Sequence, residues 1–174
     1  SLWRARLEGA DLWNTRLQRA FLREARLEGA KLLSVRLEGA DLTSARLAGA
    51  YLQEVRLEGA DLRWARLEGV NLIYVGLSAS TSLQEAILQG AAWRATDLSD
   101  VTVSSDQLNA TFGDGSVILP GGKGPDSPNW PTHWPKEILG GKAYYPDWRD
   151  WQASIGYTPP GRSITVASEI LPLP

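Results

Sequence analysis

The 174-residue chain contains no cysteine, no methionine and a single histidine. Without thiols there are no disulfides and no thiolate metal sites. The lone His133, between Thr132 and Trp134, has no nucleophile or orienting group beside it, so we expect a structural role rather than a catalytic base. No apolar run reaches the roughly 18 residues a membrane span needs. No secretory leader pattern stands at the start. Neither sign of charge dominates: 18 basic against 20 acidic residues give −2. Residues 1–112 carry 13 basic and 14 acidic residues (13 − 14 = −1), and 113–174 carry 5 and 6 (5 − 6 = −1). Charge therefore gives no reason to expect nucleic acid or an anionic membrane as partner.

What the chain has instead is a leucine at every fifth position. The row runs from Leu2, Leu7 and Leu12 to Leu67, Leu72 and Leu77 without a miss. A small residue, Ala or Val, usually stands two before each leucine, as at Ala10, Ala40, Val55 and Val70. Five residues suit neither regular element. On an α-helix, five steps rotate successive leucines by about 140°, so no apolar stripe forms. On a straight strand, an odd step sends them to opposite faces. The period works only if the chain turns a corner in each repeat. Four right-angle corners close a coil, and coils stack at the strand spacing of about 4.8 Å. Glycine at Gly9, Gly29, Gly39, Gly49, Gly59 and Gly69 supplies the positive φ that a corner requires. The leucines then line a narrow, dry interior, each contributing about 1.5–3 kcal/mol relative to exposure.

The repeat A-x-L-x-x, with Asp11, Asp41, Asp61 and Asn71 before the leucine, resembles the pentapeptide-repeat family and its A-(D/N)-L-x-x signature. Sixteen in-phase leucines carry the resemblance, which covers residues 1 to about 112. It implies an all-β, right-handed quadrilateral parallel β-helix. We expect about five to six coils, a short helical C-terminal cap and an irregular Pro/Gly/Trp-rich tail. The stretch from Asp106 to Pro120, with His133-Trp134 later, resembles the segment that ends many bacterial members. In such relatives, membrane and helical segments often precede the repeats. On that resemblance we expect a bacterial cytoplasmic protein, its parent chain anchored through upstream segments. The sequence opens in mid-repeat at Ser1-Leu2, so we expect further coils or a cap before it.

Two regions are expected: repeats over 1–112, with a phase slip near 78–82, and an irregular extension over 113–174. The slip is the six-residue step from Leu77 to Leu83, which reads as a widened corner. Ser104 or Ser105 suits the N-cap of a short helix over 104–112. Beyond Gly113, proline and glycine oppose regular structure, except that Pro146–Gln152 carries a helix-start signal. The tail's Trp130, Trp134, Trp148, Trp151, Tyr144, Tyr145 and Tyr157 are too apolar for a disordered segment, so part of it should pack on the solenoid wall. Residues 159–174, with Pro159-Pro160 and Pro172, are expected to be extended.

Arg6, Arg26, Arg46 and Arg66 should stack on one wall and Arg16, Arg36 and Arg56 on the opposite one, offset by neighbouring glutamates. The other walls carry the candidate interaction surface. Trp13, Leu33, Ile73, Tyr51 and Tyr74 mark one; Trp3, Phe21 and Trp64 mark the other. Large apolar groups outside a narrow solenoid need cover, and the tail folding over Trp13–Ile73 would supply it; a protein partner or a second copy of the chain would do the same. The pairs Asp97/Asp100 and Asp147/Asp150 lack further metal ligands, and Gly121-Gly122-Lys123-Gly124 lacks phosphate-loop spacing. No enzymatic activity, metal or cofactor is expected. The expected role is a non-enzymatic protein-binding or scaffolding module, its partner unidentified. The alternative, which the family resemblance implies, is a DNA-mimicking inhibitor of a type II topoisomerase. Near-neutral charge and the arginine columns oppose it.

Overall fold

The computed structural model describes residues 1–159. The chain climbs as a square coil whose rungs pair in parallel, residue i with i+20. Arg6 pairs with Arg26, Arg26 with Arg46 and Arg46 with Arg66 on one wall. Asp11, Lys31, Tyr51, Asn71, Ala92 and Phe112 form the next ladder, the Trp13 wall. Arg16, Arg36, Arg56 and Gly76 form the second arginine wall, and Phe21, Asp41, Asp61 and Ser82 the fourth, the Phe21 wall. Continuous strands are longest on the Trp13 wall: β1 (Tyr51–Gln53), β2 (Asn71–Ile73) and β3 (Ala92–Arg94). They form one parallel sheet in the order β1-β2-β3.

The hydrogen bonds explain the five-residue unit. In the regular rungs the leucine N–H and the corner N–H donate to the coil above, as Leu27 N to Arg46 O (2.7 Å) and Gly29 N to Ala48 O (3.0 Å). The corner closes on itself, Ala30 N to Leu27 O at 3.0 Å. This leaves out the N–H just after the leucine. Where the repeat begins with aspartate, the carboxylate takes it: Trp13 N to Asp11 (3.1 Å), Thr43 N to Asp41 (3.0 Å) and Arg63 N to Asp61 (3.1 Å). The aspartate thus satisfies a backbone donor that would otherwise have no partner.

Corner glycines such as Gly29 sit at φ +65°. Other corners take the same left-handed conformation without glycine: Asn14, Ser34, Ser44, and also the bulky Trp64 (φ 57°) and Tyr74 (φ 53°). Such residues resist that region by about 1–2 kcal/mol, and the ladder on both sides holds them there.

Inside, the leucines from Leu22 to Leu72 are buried with their alanine and valine neighbours in one continuous cluster. Leu2, Leu7, Leu12 and Leu17 of the lowest coil are only partly covered. After Gly76 the register steps to i+21, as in Asp61 with Ser82 and Arg66 with Ile87. The inserted residue makes a widened corner. There Ser78 Oγ and Thr81 Oγ1 accept from Gly59 N at 3.0 and 3.2 Å, replacing the carbonyl that the ladder would have offered.

Near the top the section changes. Helix α1 (Ser105–Asn109) starts at the N-cap Ser104, with a reciprocal capping box to Gln107. The Gln107 amide also donates to Leu83 O and Ala86 O, tying α1 to the coil below. Trp93 stands in the inward register position beside Leu72 and is fully buried. The interior therefore admits a large aromatic group at this level. It does so where the core also takes in Trp130 and Trp134, beside a coil that a helix and loops have replaced. The ladder carries on through Phe112 and through Ile118, paired with Asp97.

The extension is more regular than proline and glycine suggested. Helix α2 runs Gly141–Ser154, starting ahead of Pro146, which lies inside it. Packing overrides the local signal: Tyr144, upstream of the proline, is fully buried and donates to Trp93 O at 2.7 Å. Residues 160–174, on which most of the expected extended segment falls, lie outside the described residues.

Candidate interaction surface

Four walls are open to contact, and they differ in what they offer. The first arginine wall is a cross-coil charge ladder. Arg26 meets Glu8 at 2.9 Å and Arg46 meets Glu28 at 2.7 Å, each arginine reaching down one coil. The second repeats the pattern, with Glu38 3.1 Å from both Arg36 and Arg56. A hydrogen bond from its own backbone N–H, followed by Arg26 and Arg6, lowers the Glu8 pKa despite an opposing burial effect. The arginines are about half exposed and the glutamates mostly covered, so each pair is partly solvated and worth little.

On the Phe21 wall and its corner, Trp3, Phe21 and Trp64 are at least half exposed. Arginines lie over two of the rings: Arg4 4.5 Å from Trp3 and Arg63 5.5 Å from Trp64. Arg63 also pairs with Asp61 at 2.6 Å, and that hydrogen bond is the main cause of the lowered Asp61 pKa.

The Trp13 wall is divided by the tail. Its outward column runs Trp13, Leu33, Gln53, Ile73 and Arg94. Trp13 is 66 % exposed, whereas Ile73 is 1 % exposed. Leu33 and Tyr51 are half-buried, and Tyr74 is exposed at the corner. Ile73 therefore does not belong to an accessible surface. It stands in register between Gln53 and the buried Arg94, beside Asn71, whose amide reaches the Tyr145 hydroxyl of α2 at 3.5 Å. The tail covers the top of this wall and leaves Trp13 open, so it does not extend over the whole expected column.

How the tail is held is specific. Trp148 Nε1 and Gln152 Nε2 both donate to Gly90 O, at 2.9 and 2.7 Å. Phe112 packs edge-on against Tyr144, with ring centroids 5.5 Å apart. Arg94 and Asp114 are buried together. Asp114 accepts from Leu139 N at 2.9 Å, and Arg94 Nη2 donates to Leu139 O at 2.8 Å. Their side chains lie 3.9 Å apart. Burial pushes the Tyr144 phenol well above its ordinary pKa. Sequence reasoning missed Arg94 and Asp114. The signal was an arginine at an outward position facing an aspartate about one coil later, at a point where the repeat period had already broken.

The residues set aside as chemically uninformative have separate fates. Asp97 accepts from Ser99 N at 2.8 Å, like the other repeat aspartates. Gly121 and Gly122 make a tight turn that pairs Leu119 with Lys123. His133 and the pair Asp147/Asp150, however, share one groove with Trp151. Among the described residues no three His, Cys, Asp or Glu side chains gather as metal ligands. No helix there is long and apolar enough to cross a membrane.

No curated protein matches the sequence. The family described as pentapeptide repeats matches in eight copies, over residues 5–43 and 36–73. Similar solved structures include a pentapeptide repeat protein of the Arabidopsis thaliana thylakoid lumen, 30% identical over 58% of this chain and 70% of that one (TM-score 0.40). Another, from Nostoc, is 32% identical over 54% of this chain and 70% of that one (TM-score 0.41). HetL, a Nostoc pentapeptide repeat protein involved in heterocyst differentiation regulation, is 27% identical over 70% of this chain and 73% of that one (TM-score 0.46). The repeat matches fall on the rows whose leucines fill the square core, and the chain belongs to the pentapeptide-repeat family of right-handed quadrilateral β-helices.

Proposed function

We infer that the protein is a non-enzymatic protein-binding or scaffolding module that presents its flat walls to a partner protein. One observation carries this reading. The upper end of the Trp13 wall, at Asn71 and Ala92, is covered by the chain's own aromatic helix, while below Gln53 the wall continues with half-buried Leu33 and exposed Trp13. A wall that already accepts one amphipathic segment has the chemistry to accept another, and exposed tryptophan beside aliphatic groups favours protein contact. Residues 1–112 act as the rod, and the described part of the extension, 113–159, closes its upper part. The second aromatic group, Trp3, Phe21 and Trp64, is a subsidiary surface, since its own arginines already lie over two of the rings.

The topoisomerase reading requires a strongly negative rod. Seven arginines recurring every ten residues from Arg6 to Arg66 oppose it. A gyrase supercoiling assay with added protein separates the two: unchanged supercoiling supports the binding module, and inhibition at stoichiometric protein supports mimicry.

The direct test places a photo-crosslinking residue, p-benzoylphenylalanine, at position 13, 33 or 36 in the source organism. Adducts with one protein from 13 and 33, and none from 36 on the second arginine wall, support the reading. No adduct at 13 and 33, or equal adducts at 36, refutes it.

A further inference from the structure

A second recognition site, flanking the buried Tyr144–Trp148 stripe of α2 where Trp151 borders it, goes beyond the reading above. The groove between α2 and the 132–135 loop has a volume of about 450 Å³ and is lined by Phe112, His133, Trp134, Asp147, Asp150 and Trp151 among others. Its walls are aromatic and ordered. The His133 and Trp151 rings stack, 5.1 Å apart and 6° from parallel. Trp151 also leans on Phe112, with centroids 5.9 Å apart. His133 is fixed in turn, since its Nε2 lies 2.7 Å from Thr111 O, a carbonyl that also accepts from Trp134 Nε1 at 2.7 Å.

The rim is acidic. Asp147 and Asp150 stand three residues apart on α2, so they project from one helix face, and both are exposed. Neither makes a hydrogen bond or ion pair among the described residues. The last turn of α2 carries no basic residue. Two exposed carboxylates at the mouth of an aromatic groove match a long side chain with an apolar stem and a planar cationic head.

We propose that this groove binds an arginine side chain of a peptide or protein partner. The three methylenes lie along the aromatic wall. The guanidinium reaches Asp147 and Asp150, where its fork of N–H donors suits carboxylates better than a lysine ammonium does.

The test is a fluorescence-anisotropy titration of the whole chain with a fluorescein-labelled hexaarginine peptide at low salt, alongside a hexalysine peptide. The Asp147→Asn/Asp150→Asn variant should weaken hexaarginine binding at least tenfold. The equally charged control Asp100→Asn/Asp106→Asn, whose residues do not line the groove, should stay within twofold of the parent. Asp147→Glu/Asp150→Glu should stay within threefold, which separates lost charge from lost fold. Hexalysine should bind at least threefold more weakly than hexaarginine. Equal weakening by the groove and control variants, equal affinity for the two peptides, or no binding by the parent chain overturns the proposal. Because these substitutions leave position 13 untouched, its crosslinks fail or succeed independently.

Discussion

Replacing Leu47 by alanine tests the inside of the tube, and replacing its neighbour Arg46 by alanine tests the outside. Leu47 is fully buried in the middle of the leucine cluster. Its own rung is fixed on both sides: Leu27 N donates to Arg46 O at 2.7 Å, and Leu47 N donates to Arg66 O at 2.8 Å. With the backbone pinned above and below, the coil cannot collapse into the space of the missing methyl groups. Leucine-to-alanine changes cost about 2–5 kcal/mol, more where the cavity persists, so the upper part of that range, about 3–5 kcal/mol, applies here. Arg46 makes a good contact with Glu28, 2.7 Å, but its side chain is 47% exposed. A solvated pair is worth about 0–1 kcal/mol. Urea denaturation followed by circular dichroism reads both values. The Leu47→Ala midpoint should fall sharply and the Arg46→Ala midpoint should barely move. Because each coil contacts chiefly its neighbours, the Leu47 variant should also show a broadened transition. Similar losses for the two, or a cost below about 1 kcal/mol at Leu47, would refute the in/out assignment on which that range rests.

Arg94→Ala leaves the buried Asp114 carboxylate without its cation, a change that costs about 3–5 kcal/mol; limited proteolysis should then cut between residues 136 and 142 while the repeats stay intact. Gly29→Ala meets open space and should cost about 1 kcal/mol through its positive φ alone. Gly113→Ala puts a Cβ 2.5 Å from the Trp134 ring and should cost more, about 1–3 kcal/mol of overpacking, with loss of the near-ultraviolet tryptophan signal. On acidification, Glu24, lowered chiefly by its hydrogen bond from Arg4, and Asp61, lowered by Arg63, contribute stability above their ordinary values of 4.5 and 3.8. That contribution is lost as pH falls through their lower folded values, so Arg63→Ala should flatten the acid limb of a melting-temperature profile. At the alkaline end, burial pushes the Tyr157 phenol up to about 12. Its stabilisation is present below 10 and fades as pH rises toward that value, so Tyr157→Phe should remove a phenolate absorbance step there.

The square core was legible because one spacing admitted one geometry. A leucine every fifth residue excludes both the helix and the flat strand, and the corner glycines and pre-leucine aspartates agree with it. The walls followed from the same arithmetic, since i and i+20 must coincide. The tail was not legible in the same way. Pro146 reads locally as a helix start, yet α2 begins at Gly141, because Tyr144 gains a buried site and a hydrogen bond that no local propensity encodes. Ile73 looked like Trp13 and Leu33, sharing their column, and only the long-range placement of α2 and of Arg94 distinguishes them. His133 and the Asp147/Asp150 pair carried no signal apart from one another. Their meeting depends on α2 lying across the last coil, a contact between residues distant in sequence and outside any repeat.

The absence of cysteine makes thiol labelling the most direct measure of whether the aliphatic rows face inward and the walls alone meet other molecules. Single substitutions Leu47→Cys, Arg46→Cys and Trp13→Cys, each otherwise thiol-free, are reacted with a disulfide reagent under native conditions. The expected result is rapid modification at positions 46 and 13, and protection by at least a hundredfold at 47 until denaturant opens the coil. Equal reaction rates at 46 and 47 in the folded protein would contradict it.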